Sequence, residues 1–346
     1  MKFNSYNEIR FSYAQMKLTY LKIIQERLQY INLFEQFEDV VFVGCGSSYW
    51  LSLSAYQTFS NKTNKRCFAV KATDIVMSAE NYKKKYTNPI FITPSRSGES
   101  KELLDSILIM KKYYPNSKIL SITEFENNSL SKLSDVNISI PWANEVSVCQ
   151  TRSFNSLYIS ILTIIGVISN ADLLENIDVY LDHAEELYEI ADLKVRQIVD
   201  TMIDPEIVTL GSGVQYGVVI EGAYIVLEMA QKIASYFQTL EYRHGPVVTA
   251  NNKTYAFICS LNATNEKYEI DMAKEIKNTN AKIVMIGKDT EFSDFDFNLT
   301  ISNKYCEEIR GLYFVTIMQL TAHYLAIKNG KNPDIPGNLV KFISYK

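Results

Sequence analysis

The chain has 346 residues, 47% of them apolar and 21% charged, with a formal net charge of −4. That composition suits a soluble globular protein of about two domains. With no basic stripe beyond Lys83-Lys84-Lys85, it speaks against nucleic acid as a partner.

In chain order, residues 5–36 are polar with spaced apolar positions and predict an amphipathic helix. A buried-strand pattern, Asp39-VVFVG, then runs into Gly44-Cys-Gly-Ser-Ser and a helix through Phe59. A short strand falls near Cys67 to Val70. A third, Pro89-IFIT, leads into Ser95-Arg-Ser-Gly-Glu-Ser100 and a helix to Tyr113. Lys118-ILSIT and a run near Val136 to Ile140 are the fourth and fifth strands, and a helix from about Ser153 to Ser169 follows. The longest apolar run, Leu157 to Ile168, is broken by Ser and Thr and suits a buried helix rather than a membrane span. A polar helix pair is expected over about Leu173 to Met202.

The rhythm then repeats. Ile207-VTLG leads to Gly211-Ser-Gly and a helix expected to run to about Phe237. Tyr255-AFICS, Lys282-IVMIG and Phe297-NLTI complete the set. Gly44 and Gly211 are 167 positions apart, Phe91 and Phe257 166, Ile119 and Ile283 164. Strand, glycine or serine loop, helix, strand is the pattern of a parallel sheet. The expected fold class is therefore α/β, with two tandem doubly wound parallel-sheet domains of flavodoxin-like order. Their expected bounds are 1–172 and 173–330, with an extended C-terminal tail over 331–346.

Ligands of such sheets bind beyond the carboxyl ends of the strands. There the first repeat offers Ser47-Ser48 and Ser95, Ser97 and Ser100 around Gly98. Three hydroxyls at a helix start make an anion cradle, whereas a helix cap needs one. The second repeat has Ser260-Leu261-Asn262-Ala263 instead, but it carries Glu228 and His244. Glu221, Tyr224, Ile225 and Glu228 share one helical face, and Glu241-Tyr-Arg-His244-Gly-Pro follows. A carboxylate and an imidazole from adjoining rigid pieces are the material of acid–base chemistry. Gly44-Cys-Gly-Ser-Ser-Tyr49 is not a complete dinucleotide fingerprint. The three histidines are dispersed and the five cysteines contain no CxxC, so neither cofactor nor metal is expected. MKFNSYNEIR lacks an apolar signal segment, and the expected setting is cytoplasmic.

Seven segments together resemble the sugar isomerase (SIS) family in its two-domain form: Gly44-CGSS, Ser95-RSGES, Val148-CQTRSF, Gly211-SGVQY, Glu221-GAYIVLE, Glu241-YRHGP and Asn338-LVK. They are similar to the isomerase half of glutamine:fructose-6-phosphate amidotransferase and to amino-sugar phosphate deaminases and ketose/aldose isomerases. The resemblance implies a phosphosugar isomerase, with deamination, a fructosamine-6-phosphate deglycase, or a non-catalytic sugar-phosphate sensor as alternatives. It implies that Ser48, Ser95, Arg96, Ser97 and Ser100 hold the phosphate and that Gly46, Ser47, Gln150 and Thr151 line the sugar. It further implies that Glu228 shuttles a proton between C1 and C2. His244, from the neighbouring subunit of a homodimer with shared active sites, would open the ring, and Lys341 would meet the carbonyl as an imine. Three positions depart from the family pattern. Ile225 stands where the synthase has a Lys one turn before the Glu, Arg96 where Gln is common, and Gln150 where Ser is found. No glutaminase domain precedes Met1-Lys2, so glutamine-driven synthesis is not expected of this chain alone.

Overall fold

The computed structural model describes residues 3–169, 172–260, 266–287, 294–302 and 305–341. Two compact units are present, each assembled from three chain segments. One comprises Phe11–Glu145, Gln150–Glu175 and Val340–Lys346; the other comprises Met1–Arg10, Val146–Cys149 and Asn176–Leu339.

The unit that begins at Phe11 is built on five parallel strands: β1 (Asp39–Gly44), β2 (Arg66–Lys71), β3 (Pro89–Ser95), β4 (Lys118–Thr123) and β5 (Val136–Ser139), in the order β2-β1-β3-β4-β5. β1 and β3 are buried along their whole length, as continuous apolar runs in a two-sided parallel sheet must be. On one face, Val41, Val43, Phe91 and Ile119 pack against Leu103, Ile107 and Met110 of a helix over Lys101–Tyr113. Each such side chain contributes about 1.5–3 kcal/mol by leaving water. A helix over Ser47–Lys62 and a long one over Arg152–Ser169 pack with each other and with the N-terminal helices of this unit. The Arg152–Ser169 helix is long and apolar enough to cross a bilayer, but 83% of it is buried inside the protein, so it is a core helix.

The unit that contains Asn176–Leu339 carries a second parallel sheet: β6 (Glu206–Leu210), β7 (Ala234–Phe237), β8 (Thr254–Cys259), β9 (Lys282–Gly287) and β10 (Phe297–Thr300). Its order, β10-β9-β8-β6-β7, is that of the first sheet strand for strand. Helices over Tyr216–Ile225 and Glu307–Lys328 pack together, and the latter is buried nearly throughout. That buried helix was not among the sequence expectations. The loop expectation at Leu261-Asn262-Ala263 lies outside the described residues.

Three expectations are corrected. Residues 5–36 form three helices, Asn4–Arg10, Ser12–Gln25 and Arg27–Glu35. Phe11 (φ −98°, ψ 12°) and Glu26 (φ −97°, ψ 10°) interrupt them, each in the sparsely allowed bridge region of backbone space. The expected pair over Leu173 to Met202 is one helix, Leu173–Thr201. The helix expected to reach Phe237 ends instead at a π-turn, Val226–Ala230, closed by Gln231 at φ +51°. Residues 234–237 then form β7, parallel to β6.

In this second unit a polar cluster ties the first helix to the last. Asp334 accepts the Asn4 and Ser5 N–H groups at 2.8 Å, and Ser5 Oγ lies 3.0 Å from His323 Nδ1. His323 is fully buried, and burial pushes its imidazole down to about 4. The native fold therefore excludes the imidazolium. The stability this contributes is present above the unfolded value near 6.5 and is lost as pH falls toward 4, by roughly 3 kcal/mol in full. His323→Gln should flatten the acid limb of the urea midpoint between pH 6.5 and 4. An equal fall in both proteins would assign acid instability to other groups.

Candidate active site

At the carboxyl end of the first sheet, β3 closes with Ser95, and the chain turns through Arg96, Ser97, Gly98 and Glu99 to Ser100, the residue just before the next helix. Gly98 sits at φ +67°, and a Cβ there would lie 2.0 Å from Asn128 Oδ1, so only glycine fits. The turn is held from within: Ser95 Oγ accepts the Gly98 N–H and Ser97 Oγ accepts the Glu99 N–H, both at 3.1 Å. An accepting hydroxyl keeps its own proton to donate. Ser100 makes no side-chain cap bond to its helix. Glu99 fastens the loop from outside by accepting the Ser129 N–H at 2.9 Å and the Ser129 hydroxyl at 2.7 Å.

The loop after β1, beside β3 in the sheet, places Gly46 at φ +52° and delivers the buried Ser47 and Ser48 to the start of their helix. Burial and then Glu102 push the Cys45 thiol in this loop up to about 12, which disfavours the thiolate.

Arg96 is buried and faces Glu145 at 3.3 Å; its guanidinium also donates to the Lys341 carbonyl. Lys341 Nζ donates to the Glu145 carbonyl. Glu145 further accepts the Thr151 N–H at 3.0 Å, the Thr151 hydroxyl at 2.9 Å and the Ser153 hydroxyl. The structure thus brings Arg96 and Thr151 together on the buried Glu145 carboxylate, with Lys341 on the backbone carbonyl of the same residue. Thr151 spends its N–H and hydroxyl on that carboxylate, whereas Gln150 Oε1 is buried with no partner among the described residues.

Two carboxylates of this cluster were missed from the sequence. Glu145 lies in a loop with no motif of its own. Glu124 follows Lys118-ILSIT directly, so the strand-end rule pointed at it. Its carboxyl is buried, and neither oxygen has a partner among the described residues. Burial, then the neighbouring Glu145, pushes it up to about 8, with Arg96, Lys341 and Arg152 offsetting part of the rise.

Glu228 and His244 belong to the other compact unit. Glu228 is half-buried on the π-turn, a deviation that recurs at functional sites. The π-turn also breaks the even helical face expected to carry Glu221 and Glu228: Glu221 is 2% exposed, Glu228 much more open. His244 ends a short 3₁₀ turn, Glu241–Arg243, after β7 and is exposed.

A family model for the SIS domain matches residues 33–165, the stretch that holds the first sheet and the serine loop. Residues 33–165 are a SIS domain. The chain is homologous to the isomerase half of glutamine–fructose-6-phosphate aminotransferases. It is 28% identical over 334 residues to that of Buchnera aphidicola subsp. Acyrthosiphon pisum, covering 91% of this chain and 52% of the relative. The chain spans about half the length of the curated relatives it matches. Solved structures share the fold over nearly the whole chain. A glucosamine-6-phosphate deaminase from Thermotoga maritima superposes with a TM-score of 0.84 at 24% identity, covering 99% of this chain and 100% of that one. The tagatose-6-phosphate ketose/aldose isomerase of Escherichia coli gives 0.85 at 20% identity, covering 98% and 96%.

Proposed function

We propose that the chain is a phosphosugar isomerase that interconverts aldose and ketose forms of a hexose or amino-sugar 6-phosphate and releases ammonia where the substrate carries an amine. The observation that carries this is the gathering of Arg96, Lys341 and buried Glu145 beside a loop of three serine hydroxyls at a strand end. In this reading Ser48, Ser95, Arg96, Ser97 and Ser100 hold the phosphate, and Gly46, Ser47, Gln150 and Thr151 face the sugar. The orphaned Gln150 Oε1 supports that role, since a buried acceptor without a donor costs about 1–3 kcal/mol until a ligand hydroxyl supplies one.

In the aldose-to-ketose direction the Glu228 carboxylate takes the proton from C2 and returns it to C1, while a proton passes from O2 to O1. His244, presented by the neighbouring subunit of a homodimer, opens the ring. Lys341 condenses with the open-chain carbonyl to an imine with loss of water, and water adds back to restore the carbonyl before the O2-to-O1 proton transfer. We read the chain as two tandem SIS domains, 1–172 and 173–330, with a tail over 331–346. The shared strand order of the two sheets supports this. Five unpaired thiols support a reducing, cytoplasmic setting.

A second reading is a deglycase acting on fructosamine 6-phosphates. It is favoured by Ile225, buried one turn before Glu228, which offers no ammonium to an enediol. Incubation with hexose, amino-sugar and fructosamine 6-phosphates, following ketose, ammonia and free amine, separates the readings. Binding without turnover of any of them would make the protein a sensor.

Ser97→Ala should weaken phosphosugar binding by about 1–2 kcal/mol, one charge-assisted hydrogen bond. Calorimetry showing unchanged affinity in the Ser95→Ala, Ser97→Ala double variant would remove the loop from the site.

A further inference from the structure

Glu124 stands beside the serine loop, its N–H donating to the Arg96 carbonyl at 3.1 Å. The residue is 1% exposed, and among the described residues neither carboxyl oxygen has a hydrogen-bond partner. Four charged groups face it. Arg96 comes from the loop after β3, Arg152 from the start of the long buried helix, Lys341 from the C-terminal segment, and Glu145 from the loop after β5. The cations have other acceptors. Arg96 donates to Glu145 and to the Lys341 carbonyl, Lys341 to the Glu145 carbonyl, and Arg152 to the Asn144 carbonyl. A buried carboxylate without a donor is expensive, whereas a neutral carboxyl in the same place is not.

Charge balance gives that proton a purpose. With Glu124 ionised, three cations face two carboxylates. With Glu124 protonated, three cations face one, a surplus of two that matches a phosphate monoester dianion. Bringing that dianion to the adjacent serines raises the cost of ionising Glu124 further.

We propose that Glu124 is a proton-linked member of the phosphate site: a phosphosugar dianion binds there together with a proton carried on the Glu124 carboxyl. This deepens the phosphosugar reading and rests on the serine loop as the phosphate site. The proton comes from solvent, settles on a Glu124 oxygen and leaves with the ligand, and no bond of the substrate changes. Since burial pushes the carboxyl up to about 8, it is already protonated near pH 7 and little proton is taken up there. Above pH 8 the free protein has lost the proton and must regain it on binding. Affinity then falls by as much as tenfold per pH unit.

The test uses glucitol 6-phosphate, an open-chain polyol that cannot isomerise and is a dianion above about pH 7.5. Calorimetry at pH 9 in two buffers of different ionisation enthalpy should show uptake of at least about half a proton by the wild-type protein. Between pH 7.5 and 9 the wild-type Kd should rise at least about fivefold. Glu124→Gln, a neutral isostere of the protonated acid, should take up no proton. It should bind at pH 9 about as tightly as the wild type at pH 7.5. Binding by the wild type with a flat profile and no uptake would overturn the inference while leaving the serine loop as the phosphate site. A Gln variant that keeps the wild-type slope would overturn it equally. If the wild type does not bind at pH 7.5, the phosphate reading fails and the inference with it.

Discussion

Mixed and re-associated, Glu228→Gln and His244→Ala subunits should recover about a quarter of wild-type turnover, although each variant alone is nearly inactive. On the proposed mechanism, removing the carboxylate removes the proton shuttle and removing the imidazole removes the ring-opening group; each loss is expected at about 10²–10⁴-fold. His244 is exposed on a short turn seven residues beyond β7, where it is available to a second copy of the chain. In a two-fold dimer with shared sites, random pairing makes half of the dimers hybrids, and each hybrid holds one site with both wild-type residues. If mass spectrometry shows subunit exchange and the mixture stays inactive, His244 does not serve a neighbouring subunit's site.

The second large effect is expected at Lys341. Its Nζ donates to the Glu145 carbonyl, and its own carbonyl accepts from Arg96, which fixes the residue at the cluster beside the serine loop. Lys341→Ala should lower turnover at least about 10²-fold. Lys341→Arg keeps the positive charge and a donor but cannot form an imine, because the guanidinium stays protonated. Both variants should therefore lose turnover to a similar degree, and only the wild type should gain the mass of a sugar phosphate after borohydride reduction. An Arg variant within about threefold of wild type would make Lys341 an electrostatic group and remove the imine from the mechanism.

The strands were legible because continuous apolar runs such as Asp39-VVFVG and Lys282-IVMIG leave few alternatives, and the repeat offset of 164 to 167 residues fixed their correspondence. The serine loop was legible because three hydroxyls and a glycine crowd one helix start. What failed was local. Residues 231–237, QKIASYF, continue an apolar pattern that suits a helix or a strand. The outcome turns on Gln231 taking a left-handed conformation and on β6 offering a free edge, neither of which is written in periodicity. Glu145 gathers partners from residues 96, 151, 153 and 341, so its role is invisible until the chain is folded. Glu124 had a signal, its place directly after a strand, but a single carboxylate at a loop start is ordinary until its burial is known.

Neither compact unit is a continuous stretch of chain: one takes Met1–Arg10 together with Asn176–Leu339, the other Phe11–Glu145 together with Val340–Lys346. During synthesis the first sheet and its serine loop are therefore complete long before Lys341 exists. At about 5–20 residues per second, the roughly 165 residues between Glu175 and Val340 take about 8 to 33 seconds to make. Through that interval the nascent chain holds Arg96 and Glu145 without the lysine that joins them. A chain stalled anywhere in that interval carries the first sheet intact and the Arg96–Glu145 pair without Lys341.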